Sequence, residues 1–194
     1  MPRISAQEFE RLPLRVHEFL AGVPLHDVWV VDLPRTRGGI TLDEFLRAAG
    51  GRVFTPSPIV RALLSIRFFV GGLFGWDREK ARPVRETFAT RLTTADTARS
   101  LTPAGTRTGP FRVVYRFENE ELLELINRTA HAAALSALVE TPSAYRFCFG
   151  VYVREIGRFT RAYMAVIDPF RKLVVYPSLL RSVRSTWNRT FGTA

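Results

Sequence analysis

The last third of the chain constrains the fold most, because two strand-like runs there are followed directly by a basic amphipathic segment. The runs cover residues 143–155 and 158–167, with a short turn at Ile156-Gly157. They lead into Asp168-Pro169, a capping residue followed by a proline suited to the first helical turn, which predicts a helix to near the C-terminus. A meander closed by one helix indicates a curved antiparallel sheet that grips the helix and can hold a ligand beneath it.

The predicted C-terminal helix is basic on one side and apolar on the other. Its cationic residues follow Asp168 without a further acid: Arg171, Lys172, Arg181, Arg184 and Arg189. Its apolar residues are Leu173, Val174, Leu180, Val183 and Trp187. Such a helix either docks on the sheet with its arginines in water or lies on an anionic membrane. Pro177 lacks a backbone donor and is expected to kink it.

Length and charge set the broad class. We expect one domain over residues 1–194, because a chain of 194 residues can bury a full core. The net charge of +10 favours contact with nucleic acid, anionic lipid or an acidic ligand. A basic surface without any anionic partner is the simpler alternative, because net charge governs solubility and association rather than fold.

Several functional classes lack their sequence signatures. Cys148 is the only cysteine, which excludes an intrachain disulfide and a cysteine-based zinc site. We find no phosphate-binding glycine loop, nucleophile elbow, metal-ligand spacing or nucleic-acid module. We therefore expect no metal, no cofactor and no specific nucleic-acid partner, and the oligomeric state stays open.

The N-terminal part predicts a cytoplasmic protein. Its first residues contain Glu8 and Glu10 and no apolar core of signal-peptide length. The longest apolar run, residues 59–76, contains Arg61 and Arg67, which would make a membrane crossing costly.

Upstream of the meander, capping and turn signals predict one strand followed by two helices. Residues 26–33 are rich in β-branched and aromatic side chains and predict the first strand. Thr41-Leu42-Asp43-Glu44 is a capping box for one helix, and Ser57-Pro58 opens a second, apolar on nearly all sides, over residues 58–73. Another capping box, at Ser5-Ala6-Gln7-Glu8, predicts a short N-terminal helix.

The segment 118–140 is ambiguous from its residues alone. Residues 111–117 before it alternate cleanly and predict a strand. Its own Ala, Leu and Glu content favours a helix, whereas a hairpin of residues 121–126 and 130–140 turning at Asn127-Arg128 is the alternative. Local signals do not decide between these, because tertiary context overrides propensity.

Three segments resemble a known bacterial family. They are Phe117-Glu118-Asn119-Glu120 with the later His131, the block Gly75-Trp76-Asp77, and the stretch from Tyr163 to Arg171. They resemble the domain of unknown function 2867, which has no known activity and is similar to the START and Bet v 1 helix-grip (SRPBCC) superfamily. The resemblance extends from about His26 to Trp187.

The resemblance implies an α+β helix-grip fold. Its curved antiparallel sheet would wrap around the long C-terminal helix, with two helices inserted after the first strand. It also implies that the ambiguous segment is a hairpin.

A pocket between sheet and C-terminal helix is the expected binding site. The small side chains Ala132 and Ala134 would leave volume above the sheet if they point inward. Its expected lining residues offer rings, hydroxyls and one imidazole: Trp29, Tyr115, His131, Ser136, Tyr152 and Tyr163. Arg67, in an otherwise apolar helix, would bind an acidic ligand or pair with a carboxylate of this chain.

The sequence supports less specific interpretations of the other polar residues. His131 is a candidate general base or ligand donor, with a structural histidine as the alternative. His26 and Asp27 are not expected to form a catalytic pair, because neighbours on a strand point to opposite faces. The acids Glu118, Glu120, Glu121 and Glu124 are interpreted as a solvated hairpin edge.

These features predict binding of an apolar or amphipathic small molecule. One alternative is an enzyme of the cyclase, dehydratase or hydrolase type that uses the same cavity. Another is a lipid-binding or membrane-surface protein that uses the basic C-terminal helix.

Overall fold

The computed structural model describes residues 4–50, 87–126, 131–154 and 168–192. Within them, six strands form one curved antiparallel sheet. The strands are β1 (Leu25–Pro34), β2 (Arg107–Thr108), β3 (Phe111–Arg116), β4 (Glu120–Ile126), β5 (His131–Glu140) and β6 (Ala144–Arg154). Their spatial order is β1-β6-β5-β4-β3-β2, so β3 to β6 form a meander and β1 pairs with its last strand.

Short helices precede and interrupt the strands, and one longer helix follows them. They are α1 (Ala6–Glu10), α2 (Val16–Phe19), α3 (Leu42–Ala48), a 3₁₀ turn (Phe88–Arg91), α4 (Thr94–Arg99), a π-helical turn (Arg171–Val175) and α5 (Tyr176–Phe191). The predicted caps at Ser5 and Thr41 are confirmed, whereas Asp168, the predicted cap of the C-terminal helix, is itself in helical conformation. The backbone N–H of Glu8 donates to Ser5 Oγ, and that of Glu44 donates to Thr41 Oγ1, each at 3.1 Å.

The ambiguous segment is a hairpin, as the family resemblance implies. β4 and β5 pair in register, with Leu122 opposite Leu135 and Glu121 opposite Ser136. Leu122 and Leu135 are both fully buried on one face of the sheet. Burial of alternate side chains therefore outweighs the helix propensity of the segment, since a strand sends every second residue to the same face.

The two faces of the sheet are covered by different parts of the chain. One face, called the helix face below, contacts α3 and α5, and its cluster includes Val31, Leu33, Leu138, Tyr145, Phe147, Leu180, Val183 and Trp187. The other face, called the N-terminal face, contacts α1, α2 and the 3₁₀ turn. Its cluster includes Phe9, Val16, Phe19, Val30, Phe88, Leu135 and Cys148.

Trp187 anchors α5 to the helix face. Its side chain is fully buried, and its ring centroid lies 5.2 Å from those of both Phe45 and Tyr145. Its indole Nε1 donates to the carbonyl of Pro34 at 3.0 Å. The C-terminal half of the helix is therefore fixed across the end of β1.

The predicted α+β class, with an antiparallel sheet and a C-terminal helix, is confirmed. The predicted strand over residues 158–167 and the second inserted helix over residues 58–73 lie outside the described residues. Pro177 lies in the first turn of α5, directly after the π-helical turn. Within the described ranges, no helix combines the length and the hydropathy that crossing a bilayer requires.

Candidate functional site

One line of side chains crosses the helix face from β1 to β3. Trp29 pairs with Phe149, which pairs with Ser136 on its other side. Ser136 pairs with Glu121, and Glu121 with Arg116. Because directly opposed residues of antiparallel strands point to the same face, these five side chains form a continuous row, called the transverse row below.

The transverse row is aromatic at one end and ionic at the other. The ring of Tyr176, from the start of α5, lies 5.3 Å from that of Trp29 and 5.9 Å from that of Phe149. At the other end, Arg116 Nε donates to Glu121 Oε1 at 2.7 Å, and Glu121 is only 2% exposed. Ser136 separates the two ends and places a small, buried hydroxyl between them.

Two small side chains lie along β5 on the same face as Ser136. Ala134 and Ala132 follow Ser136 at two-residue intervals, so they share its face, and both are half-buried. Leu180, Val183 and Trp187 of α5 instead cluster with Leu138 and Phe147, one row further along the strands. The part of the helix face that carries the alanines is thus distinct from the part on which α5 packs tightly.

An ion-pair network lies at the β1 end of this face. His26 Nε2 lies 3.0 Å from both carboxylate oxygens of Asp168 and 3.6 Å from Asp27 Oδ2. The expectation that His26 and Asp27 point to opposite faces was wrong. The pairing of β1 with β6 shifts register between Leu25 and Asp27, and such a bulge re-aims the side chains that flank it.

Two cations from the described part of the chain belong to the same network. Arg171 lies 3.1 Å from Asp168 and 3.7 Å from Asp27, and Lys172 Nζ lies 3.2 Å from Asp168. Burial would raise the pKa of Asp168, but hydrogen bonds from His26 and Lys172 and the charge of Arg171 outweigh it and lower this pKa. Arg171 also donates to the hydroxyl of Tyr176, which links the network to the aromatic end of the transverse row.

The network also contains the donor set for a possible metal ion. His26, Asp27 and Asp168 each place one donor atom within 4.8 Å of the others. Arg171 contacts both carboxylates, so a divalent cation bound there would lie against a guanidinium. Charge balance therefore favours an ion-pair network over a metal centre.

The backbone beside this network departs from α-helical geometry. Arg171 and Lys172 belong to the π-helical turn that precedes α5. π-helical turns are rare and recur at functional sites. The irregular turn carries the cations of the network and leads directly into Tyr176.

On the N-terminal face, Glu120 serves a structural role. It accepts hydrogen bonds from the backbone N–H groups of Arg15 and Val16, each at 2.8 Å, and from the hydroxyl of Tyr115. The carboxylate thereby caps α2, which has no side-chain cap of its own. Burial raises the pKa of Glu120, although these hydrogen bonds oppose the shift.

Glu124 and His131 form a second buried pair on the same face. Glu124 accepts from His131 Nε2 at 2.6 Å, from the backbone N–H of Phe88 at 2.7 Å, and from the hydroxyl of Thr87. Burial would raise the pKa of Glu124, but these hydrogen bonds outweigh it and lower the pKa. His131 is fully buried and stacks on Phe88 at 4.1 Å. This geometry fits a structural histidine that holds the 3₁₀ turn on the sheet.

The expectation of a solvated acidic hairpin edge was wrong for three of its four members. Glu120, Glu121 and Glu124 are buried, each with the partner described above, and Glu118 is exposed. For Glu121 and Glu124 the available signal was their position inside the predicted strand rather than at its turn, whereas Glu120 lies just before the predicted strand.

The residues predicted to line one pocket divide between the two faces. Trp29 and Ser136 lie on the helix face, whereas Tyr115, His131 and Tyr152 lie on the N-terminal face. Arg67 and Tyr163 lie outside the described residues. Sequence reasoning set Asp27 aside, because a bulge has no clear sequence signal, and it missed Phe149 and Tyr176, whose juxtaposition depends on the docking of α5.

The single cysteine takes no part in either arrangement of polar residues. Burial raises the pKa of the Cys148 thiol to about 12, so its reactive thiolate is scarce near neutral pH.

Comparison with known proteins places the chain in a family. No curated protein and no solved structure matches it significantly. The family model described as "Protein of unknown function (DUF2867)" matches residues 19–178. Because this match covers well over half of the 194 residues, the chain belongs to the DUF2867 family.

Proposed function

We propose that this protein binds an apolar or amphipathic small molecule on the helix face, across the transverse row. The observation that carries the proposal is the row itself: an aromatic end at Trp29, a small centre at Ser136 and an ionic end at Glu121. Ligand sites typically combine mostly apolar walls with a few polar groups that fix orientation.

A buried donor in the row supports the proposal. Trp29 Nε1 is shielded from solvent and has no hydrogen-bond partner among the residues that the structure describes. Leaving a buried donor unsatisfied costs about 1–3 kcal/mol. An acceptor on a bound molecule would remove that cost, and the neighbouring rings of Phe149 and Tyr176 would contact its apolar part.

The proposal extends to kinship with the helix-grip folds. An antiparallel meander, a first strand paired with its last strand, and a C-terminal helix on one face are compatible with a START-like or Bet v 1-like architecture. Ligands of such folds lie between sheet and helix. The kinship proposed here rests on this analogy of fold.

A bulkier side chain at Ala134 of β5 tests the proposal. The probe is the amphipathic dye 1-anilinonaphthalene-8-sulfonate, whose fluorescence reports apolar binding. Ala134→Leu adds volume at a half-buried position of the helix face, and Ala98→Leu makes the same change on the exposed surface of α4. We expect the first variant to weaken dye binding at least tenfold and the second to leave it unchanged.

Thermal unfolding of both variants provides the stability control. Equal dye binding by folded Ala134→Leu and wild type would show that this face does not take up the probe, and would overturn the proposal.

Acid–base catalysis on the same face is a second candidate function. It is favoured by the position of His26, oriented by Asp168 and close to the buried Asp27. Native mass spectrometry of protein purified from its host separates the two functions. If the protein only binds, wild type and His26→Gln should retain a bound molecule of the same mass. If it is an enzyme, the variant should retain the substrate, whereas the wild type converts it and releases the product.

A further inference from the structure

The outer side of α5 presents arginines to solvent. Arg181, Arg184 and Arg189 are all exposed. Together with Ser185 and Asn188, they line an open depression of about 490 Å³. The residues of α5 that pack on the sheet, among them Leu180, Val183 and Trp187, are on the opposite side of the helix.

These arginines are not neutralised within the described part of the chain. Arg181 donates to the carbonyl of Pro177 at 3.2 Å, and Arg189 donates to Thr186 Oγ1 at 3.1 Å. None of the three forms an ion pair there, and the sequence contains no acid after Asp168. Several other arginines, in contrast, pair with carboxylates, as Arg15 does with Asp96 and Arg146 with Asp32.

Exposed apolar side chains stand at the start of the same helix. Phe170 is 52% exposed and Leu173 is 77% exposed. Leu173 lies in the π-helical turn that leads into α5, and like the three arginines further along it is exposed to solvent. The outer surface therefore has an apolar end at Phe170 and Leu173 and a cationic stretch from Arg181 to Arg189.

We infer that this surface binds the interface of an anionic phospholipid bilayer. The arginines would contact lipid phosphates, and Phe170 and Leu173 would enter the boundary with the acyl chains. A nucleic-acid backbone would satisfy the arginines equally but would give the exposed apolar residues no partner. The lipid surface accounts for both, and it engages the side of α5 that faces away from the transverse row.

Vesicle co-sedimentation tests the inference. Vesicles of phosphatidylcholine with a minority of phosphatidylserine are compared with pure phosphatidylcholine at low and physiological salt. We expect partitioning only onto the anionic vesicles, and weaker partitioning as salt screens the contact. Arg184→Ser should lower the partition coefficient roughly fivefold, because one basic residue near such a surface contributes about 1 kcal/mol.

Two further variants complete the test. Arg11→Ser removes an equal charge from an exposed position at the end of α1, on the other side of the sheet, and should leave partitioning nearly unchanged. Leu173→Ser keeps the charge and should still weaken partitioning. Absence of binding to anionic vesicles by the folded protein would overturn the inference. So would binding to duplex DNA that Arg184→Ser weakens and Leu173→Ser does not.

Discussion

Several buried acids in this protein are paired with specific donors. The ion pair of Asp96 and Arg15 shows how such pairing makes the stability depend on pH. Arg15 donates to both oxygens of Asp96, at 3.0 and 3.1 Å. The hydrogen bond from Arg15, helped by those from Thr93, outweighs burial and lowers the pKa of Asp96 to about 2. The stability that this shift contributes is therefore complete above the ordinary carboxyl pKa and is lost as pH falls towards about 2.

We predict that Asp96→Asn destabilises the protein by about 1–2 kcal/mol near neutral pH and by much less in strong acid. Urea unfolding of wild type and variant at a series of pH values measures the difference between their free energies of unfolding. That difference should shrink as pH falls from about 4 to about 2. A constant difference over this range would mean that the ion pair does not shift the pKa of Asp96.

Glu120 allows a matched comparison with its exposed neighbour Glu118. Glu120→Ala removes the acceptor that satisfies the backbone N–H groups of Arg15 and Val16. We expect a loss of about 1–3 kcal/mol in the free energy of unfolding, because those donors would be left without a partner. Glu118→Ala should change it by less than about 0.5 kcal/mol, as an exposed substitution usually does. Equal effects would contradict the capping role.

Among the secondary-structure elements, those with strong local signals were the most predictable. The caps at Ser5 and Thr41 and the strands β3 and β6 follow from residue type and alternation. The hairpin of β4 and β5 did not follow, because its composition favours a helix and only burial on the assembled sheet decides otherwise. The family resemblance supplied that information.

The candidate site was less predictable than the fold. The alternation of β5 predicts that Ser136 and the two alanines share a face, and it equally predicts that His131 lies on the other. Which face of the sheet meets α5 depends on long-range packing. The sequence therefore could not assign Trp29 and Ser136 to one face and Tyr115 and Tyr152 to the other. The bulge that turns His26 towards Asp27 adds one residue to β1 and has no signature in the residue types.

The attachment of α5 depends mainly on Trp187. Trp187→Ala removes a fully buried side chain and its hydrogen bond to the carbonyl of Pro34. Truncation of a buried aromatic side chain typically costs 3–5 kcal/mol. We therefore expect a loss of about 3 kcal/mol or more in the free energy of unfolding, and faster amide exchange along α5. Arg181→Ala, on the outer side of the same helix, should change neither quantity measurably.

Across the protein, α5 separates two proposed binding surfaces. Its inner side carries Tyr176 over the transverse row, and its outer side carries the exposed arginines Arg181, Arg184 and Arg189. Substitutions at distant sites that share no partners have additive effects on free energy. We therefore predict that Ala134→Leu weakens dye binding without changing vesicle partitioning, and that Arg184→Ser does the reverse. In the double variant, the free-energy changes should add within about 0.5 kcal/mol. A larger deviation, with the fold intact by circular dichroism, would show that α5 changes its position when either surface is occupied, and the two surfaces would then act as one coupled site.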